Sequence, residues 1–168
     1  MITLIVAMDI DGTIGRNGEL PWHSSEDLKW FKEQTLNNIV VMGRHTWESL
    51  KVSPLPNRIN IVVSKTQGVS HHTLNRSGAY FVYSILGALE LAEHMDGSVY
   101  IIGGAQLYKS VLEMGVVERM LITIIRQPVK KNKNNIVFPN FDKSQWNYKT
   151  IKDTGELKII ELTKKMGL

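Results

Sequence analysis

The sequence predicts an α/β fold: a single domain over residues 1–168, with an about eight-stranded, mostly parallel sheet, a C-terminal antiparallel hairpin and four helices on both faces. Three observations carry this. Several Val- and Ile-rich runs are continuous rather than alternating, as expected of strands buried on both sides. Those runs alternate with stretches of helical periodicity. The segment "WNYKTIKDTGELKIIELTKK", residues 146–165, reads as two strands turning at Thr154-Gly155. A chain of 168 residues suits one full core, and its apolar share of 43% and charged share of 21% are those of an ordinary globular protein.

The elements follow in order. "TLIVAMD" (3–9) is a buried strand, and a helix runs from about Glu26 to Thr35. "NIVVMG" (38–43) is a strand, followed by a short helix from about Thr46 to Leu50. "RINIVVS" (58–64) and "AYFVYS" (79–84) are strands, with "HHTL" (71–74) a possible short one between them. A helix covers roughly Ile85 to His94 and stops at Asp96-Gly97. "VYIIGG" (99–104) is a strand, Ala105 to Met114 a helix, and "RMLITIIRQP" (119–128) the strand before the hairpin. Ligands in such sheets bind beyond the carboxyl ends of the strands, which here carry Gly43, Gly103, Gly104 and the loop from Asp9 to His23.

Composition closes off several classes. The chain has no cysteine, so disulfides and thiol chemistry are excluded. The five histidines (23, 45, 71, 72 and 94) make no metal-ligand spacing, and no metal is expected. "MITLIVAMDIDG" lacks the basic start and length of a signal peptide, and no run approaches the ~20 apolar residues of a membrane span. The expected location is cytoplasmic, with no membrane partner. Net charge is +4, and the basic run "KKNKNN" (130–135) lacks the interleaved aromatics of a single-strand binder, so no nucleic-acid partner is expected. It reads as a solvated loop. No repeat, linker or low-complexity tract stands out.

"GELPWHSSEDLKWFKE", residues 18–33, poses the sharpest question. On a wheel of about 100° per residue, Phe31 falls at about 40° from Asp27, Leu28 at about 100° and Trp30 at about 300°. Asp27 is therefore the one ionisable group inside the apolar arc, and an interior acid is costly without a partner. A plainer reading stands beside this one. Ser24-x-x-Asp27 fits a helix cap, where an acid gains about 0.3–1 kcal/mol from the helix dipole. Upstream, Leu20-Pro21-Trp22 is a stiffened apolar lead-in behind a loop holding Gly12, Gly15 and Gly18, which suits a lid over a pocket.

Two strand–glycine–helix junctions could hold phosphates. "MGRHTW" (42–47) offers Gly43, helix-start N–H groups, Arg44 and Thr46; "IIGGAQLY" (101–108) repeats the layout at Gly103-Gly104. The first also reads as an ordinary turn with a Thr cap. The Gly-x-Gly-x-x-Gly fingerprint is absent, since position 106 is Gln, and there is no Walker A pattern. Ser64 and Lys65, ending "VVSK", either add a site for one further phosphate or form a plain strand-to-turn junction.

Together these pieces resemble the chromosomal-type monomeric dihydrofolate reductase family. "LIVAMDIDGTIGRNGELPW", "EDLKWFKEQTLNNIVVMGRHTWESL", "LPNRINIVVS", "YIIGGAQLY", "LITIIR" and "FPNF" match its order and spacing over essentially the whole chain. The resemblance implies NADPH-dependent reduction of dihydrofolate to tetrahydrofolate, by hydride transfer to the pterin ring and proton delivery by water. It implies that Asp27 pairs with the pterin's 2-amino group and ring nitrogen, that water enters beside Leu20, and that Trp22 holds an ordered water. Ile5, Ala7, Leu28, Phe31, Leu55 and Ile102 would line the substrate pocket, Arg58 would pair with the glutamate α-carboxylate, and Thr123 would link to Asp27. Ala7, Ile14, Gly43, Arg44, His45, Thr46, Ser64, Lys65, Ile102, Gly103, Gly104, Ala105, Gln106 and Leu107 would contact the cofactor, with a cis Gly103–Gly104 bond. A monomer is expected by the same analogy.

Three departures are visible. "KVSPLP" is about one residue longer than the family pattern before the Leu-Pro pair. "KKNKNNIVFP" replaces an acidic loop that touches the active-site loop in some relatives, and Gln106 stands where several carry a basic residue. Three other readings compete: a reductase of the same fold acting on another pyrimidine- or pterin-like ring, a basic nucleic-acid module, and a non-catalytic nucleotide-binding domain. A substrate without a glutamate tail would not need Arg58, the nucleic-acid module leaves Asp27 unexplained, and the nucleotide-binding domain predicts NADPH binding without turnover.

Overall fold

The central strand, β1 (Ile2–Asp9), is flanked on both sides by strands from the second half of the chain. The computed structural model describes residues 1–16, 20–66, 77–127 and 130–167. Within them β1 is followed by β2 (Thr13–Arg16), α1 (Ser25–Thr35), β3 (Ile39–Gly43), α2 (Arg44–Ser49), β4 (Ile59–Val63) and β5 (Tyr80–Val82). Then come α3 (Ile85–Glu93), β6 (Val99–Gly103), α4 (Ala105–Glu113), β7 (Arg119–Ile125), β8 (Asn135–Val137), β9 (Trp146–Asp153) and β10 (Leu157–Lys164).

Eight strands form one sheet in the order β5-β4-β3-β6-β1-β7-β10-β9. β5 through β7 in that order are parallel, and β10 joins β7 antiparallel, as the Val/Ile runs and the terminal hairpin predict. Parallel alignment brings the ends of β1, β3, β4 and β6 to one edge. Alternation along each strand sends side chains to opposite faces. Leu4, Val6, Val41 and Ile61 meet Ala88 and Leu91 of α3 and Leu107 and Val111 of α4. Ile5, Val40, Met42 and Leu121 meet Trp30 and Phe31 of α1 and Trp47 of α2. A smaller cluster under the start of α1 joins Trp22, Ile125, Leu157 and Ile159.

The details differ from expectation in three places. α2 begins at Arg44 rather than Thr46, because Gly43 is its N-cap and Thr46 already lies inside it. β5 keeps only three residues of the predicted six. The sequence also hides a second sheet, the β2–β8 ribbon, with Arg16 Nε donating to Asn135 Oδ1 at 2.8 Å. "HHTL" lies outside the described residues. The terminal hairpin turns where expected: Thr154 Oγ1 accepts from the N–H groups of Glu156 (3.3 Å) and Leu157 (3.2 Å). Gly103–Gly104 is cis, as the resemblance implies, and so is Ser53–Pro54.

Candidate functional site

Both readings of Asp27 hold at once. Ser24 is the N-cap of α1, its Oγ accepting the Asp27 N–H at 3.2 Å, and the Asp27 side chain nevertheless faces inward, 8% exposed. Burial raises its carboxyl above the ordinary carboxylate range, and the Thr123 hydroxyl facing it pulls the other way. Thr123 is itself buried on β7, opposite Ala7 of β1. Ile5 lies two residues earlier on the same face of β1.

One further polar group belongs to this neighbourhood. Tyr108 of α4 is fully buried, and its hydroxyl donates to the Ile5 carbonyl at 2.8 Å. Burial first, and then the charge of Asp27, drive its proton affinity well above that of a free phenol. The signal was present in the sequence: a tyrosine on the apolar stripe Leu107, Tyr108 and Val111 needs an interior acceptor.

At the far end of α1, Arg58 Nη1 donates to Thr35 Oγ1 at 3.0 Å and its Nε to the Pro56 carbonyl at 3.0 Å. Partial burial lowers its proton affinity. Buried Asn60 organises this loop, accepting the Leu55 N–H at 2.9 Å and donating to the Leu55 and Arg58 carbonyls at 3.0 Å each. Sequence reasoning passed over Asn60, which reads there as one polar residue inside a strand. Phe31, Leu55 and Ile102 pack partly buried against the core beneath α1, while Leu28 and Leu20 are half exposed at its rim. Trp22 is buried beside Ile125.

The second half of the site is made of backbone. α1 and α3 begin with serine caps, but α2 and α4 begin after Gly43 and Gly104 with no side-chain cap. These two starts are neighbours: a Cβ on Gly43 would lie 3.8 Å from Gly103 O and 3.9 Å from Gly104 N. A Cβ on Gly103 would meet Thr46 Oγ1 at 3.3 Å, and its φ of +132° already favours glycine. Unfilled N–H groups at two adjacent helix starts, beside a gap that any Cβ would narrow, suit a doubly phosphorylated group.

Around them, Arg44 is held by Glu48 (3.6 Å) and Thr66 (3.3 Å), and the buried Ser64 hydroxyl lies 3.4 Å from Thr66 Oγ1. His45 is 89% exposed, and Lys65 is exposed beyond β4. In the first turn of α4, Ala105 is part-buried and Gln106 is exposed. Leu107 points away into the core on the other face, so only its backbone is available to a ligand. Ile14 sits on β2, packed against that same core. Among the described residues no group of three or more His, Asp or Glu side chains could hold a metal ion, and no helix is long and apolar enough to cross a membrane.

This arrangement has close parallels among known proteins. A family model described as dihydrofolate reductase matches residues 1–160. A dihydrofolate reductase of Bacillus subtilis (strain 168) is 36% identical over 146 residues, covering 87% of this chain and 80% of that one. One of Neisseria gonorrhoeae is 38% identical over 145 residues, covering 86% and 83%. One of Buchnera aphidicola subsp. Acyrthosiphon pisum is 41% identical over 111 residues, which spans 66% of this chain and 65% of that relative, just under two thirds of its length. Among solved structures, dihydrofolate reductase from Enterococcus faecalis complexed with NADP(H) and RAB-propyl superposes with a TM-score of 0.80 at 28% identity, over 99% of this chain and 97% of that one.

Proposed function

This chain belongs to the dihydrofolate reductase family, and from that premise we propose that it reduces 7,8-dihydrofolate to 5,6,7,8-tetrahydrofolate with NADPH. One observation carries the reading furthest: a buried acid, Asp27, faces Thr123 beneath α1, at the same sheet edge as the two uncapped helix starts. The first suits a ring rich in N–H donors, and the second suits a pyrophosphate.

Bound NADPH supplies the hydride that the carbon beside the pterin's imine nitrogen receives, and a proton completes the reduction at that nitrogen. The chain's part is to bind, orient and admit water. Asp27 accepts hydrogen bonds from the 2-amino group and a ring nitrogen of the pterin, which returns to its carboxylate the partners that burial removes. Thr123 fixes the other side of that carboxyl. Ile5, Ala7, Leu28, Phe31, Leu55 and Ile102 surround the ring and its benzoyl extension. Arg58, with Nη1 and Nε committed to Thr35 and Pro56, offers its remaining donors to the glutamate α-carboxylate. Leu20 and Trp22 border the path by which water brings the proton, and Asp27 lies across the ring, raising its readiness to accept it.

On the cofactor side, the N–H groups after Gly43 and Gly104 take the pyrophosphate, with Thr46, Ala105, Gln106 and the backbone of Leu107 around them. Arg44, His45, Ser64 and Lys65 take the further phosphate that separates NADPH from NADH. Ala7, Ile14 and Ile102 border the nicotinamide end. The protein acts as a cytoplasmic monomer on a small molecule.

The test is NADPH oxidation by the purified protein, followed by absorbance with and without dihydrofolate. Oxidation that requires dihydrofolate is the expected result. NADPH binding without dihydrofolate-dependent oxidation would overturn the substrate assignment and leave Asp27 in need of another partner.

A further inference from the structure

α1 carries the acid on which the proposed reaction turns, and its apolar hold on the sheet comes from the partly buried rings of Trp30 and Phe31. Its only buried residues are Asp27 and Thr35, both polar and one near each end. Polar ties at its two ends add to that seating. The C-terminal tie is Thr35 to Arg58.

The N-terminal tie lies in a residue the reaction does not use. Glu26 Oε1 meets Lys152 Nζ at 2.7 Å, with the two side chains 33% and 49% exposed. Lys152 comes from β9, an edge strand whose residues after Trp146 are otherwise turned to solvent. The register explains the meeting. Thr123 of β7 stands opposite Ile159 of β10, and Ile159 stands opposite Lys152 of β9. One row of the sheet therefore runs Thr123, Ile159, Lys152 beneath the first turn of α1. Thr123 faces Asp27 at one end and Lys152 holds Glu26 at the other, two strand spacings or about 10 Å apart. β9 is itself pinned next to Lys152, where Asp153 Oδ1 meets Arg126 Nη1 at 2.7 Å.

We propose that Lys152 is a positioning residue for the reaction: through Glu26 it fixes the first turn of α1, and so sets where the Asp27 carboxyl stands against Thr123 and the bound pterin. The proposal rests on reading Asp27 as the acid that holds the substrate ring.

The test compares Lys152→Met, Glu26→Gln, the double variant and Lys152→Arg with the wild-type enzyme, in steady-state kinetics for each substrate and in thermal melting. Each single variant is expected to raise KM for dihydrofolate about three- to fivefold, the upper part of the scale open to a partly exposed ion pair. KM for NADPH and the melting temperature should stay put. The double variant should be no worse than the worse single, since both remove one contact, and Lys152→Arg should behave as wild type. Singles that leave KM for dihydrofolate within twofold of wild type overturn the proposal. So do singles that raise KM for NADPH in step, or a double variant that sums the two. If the wild type itself shows no dihydrofolate-dependent oxidation, the functional reading has failed, and the tie is judged by hydrogen exchange alone. Lys152→Met should then speed exchange at the Asp27 and Leu28 amides, and unchanged rates there would overturn it.

Discussion

Asp27 is a burden to the free protein and, on the function proposed above, an asset to a liganded one. Its carboxyl binds a proton more tightly folded than unfolded, so the folded state holds more protons as pH rises past about 3.9. Stability therefore falls between the unfolded and folded values and stays lowered above the folded one. Asp27→Asn is expected to melt higher than wild type at neutral pH, with the gap closing in acid, in a melting series across pH without ligand. The same change should cut turnover of dihydrofolate at neutral pH about a hundredfold, the usual scale for a positioned acid; undiminished turnover would remove Asp27 from its role. At this scale the sequence is readable one residue at a time. The wheel alone puts Asp27 in the apolar arc, because helix geometry links residues a few positions apart. It is silent on Thr123 as physical partner, on Asn60 under Arg58 and on the Tyr108 hydroxyl against Ile5, since those pairs join side chains across strands and loops that local periodicity does not connect.

Elements differ in how they begin, and the difference sorts structure from chemistry. Serine closes the N-terminus of α1 and α3; glycine leaves α2 and α4 open. Gly103→Ala should strain the backbone and push Thr46 aside, costing about 1–3 kcal/mol, and should weaken NADPH binding, readable together by urea titration and fluorescence titration. Arg44→Ala with Lys65→Ala should weaken NADPH about tenfold while hardly moving NADH, the mark of lost phosphate contacts; equal losses would place the extra phosphate elsewhere. Long Val/Ile strands and the hairpin were readable because each carries its own periodicity. The β2–β8 ribbon was not: four residues and three are too short to show a period, and their pairing spans most of the chain. The start of α2 was misplaced because a glycine cap leaves less imprint than a threonine that resembles one.

Across the whole molecule, the two faces of the sheet do different work. The face under α3 and α4 is sealed by hydrocarbon, and Ile101→Ala there should cost about 2–5 kcal/mol, seen as a lower urea midpoint at unchanged slope. The face under α1 is roofed by a helix whose two buried residues are both polar. A ring and its benzoyl extension lying against Ile5, Phe31 and Leu55 would serve there as a visiting core side chain. Supply then enters durability: ligand at a hundred times its Kd adds about 2.7 kcal/mol against unfolding. A protease that cuts opened chains would thus spare the enzyme when folates are plentiful and clear it when they run short.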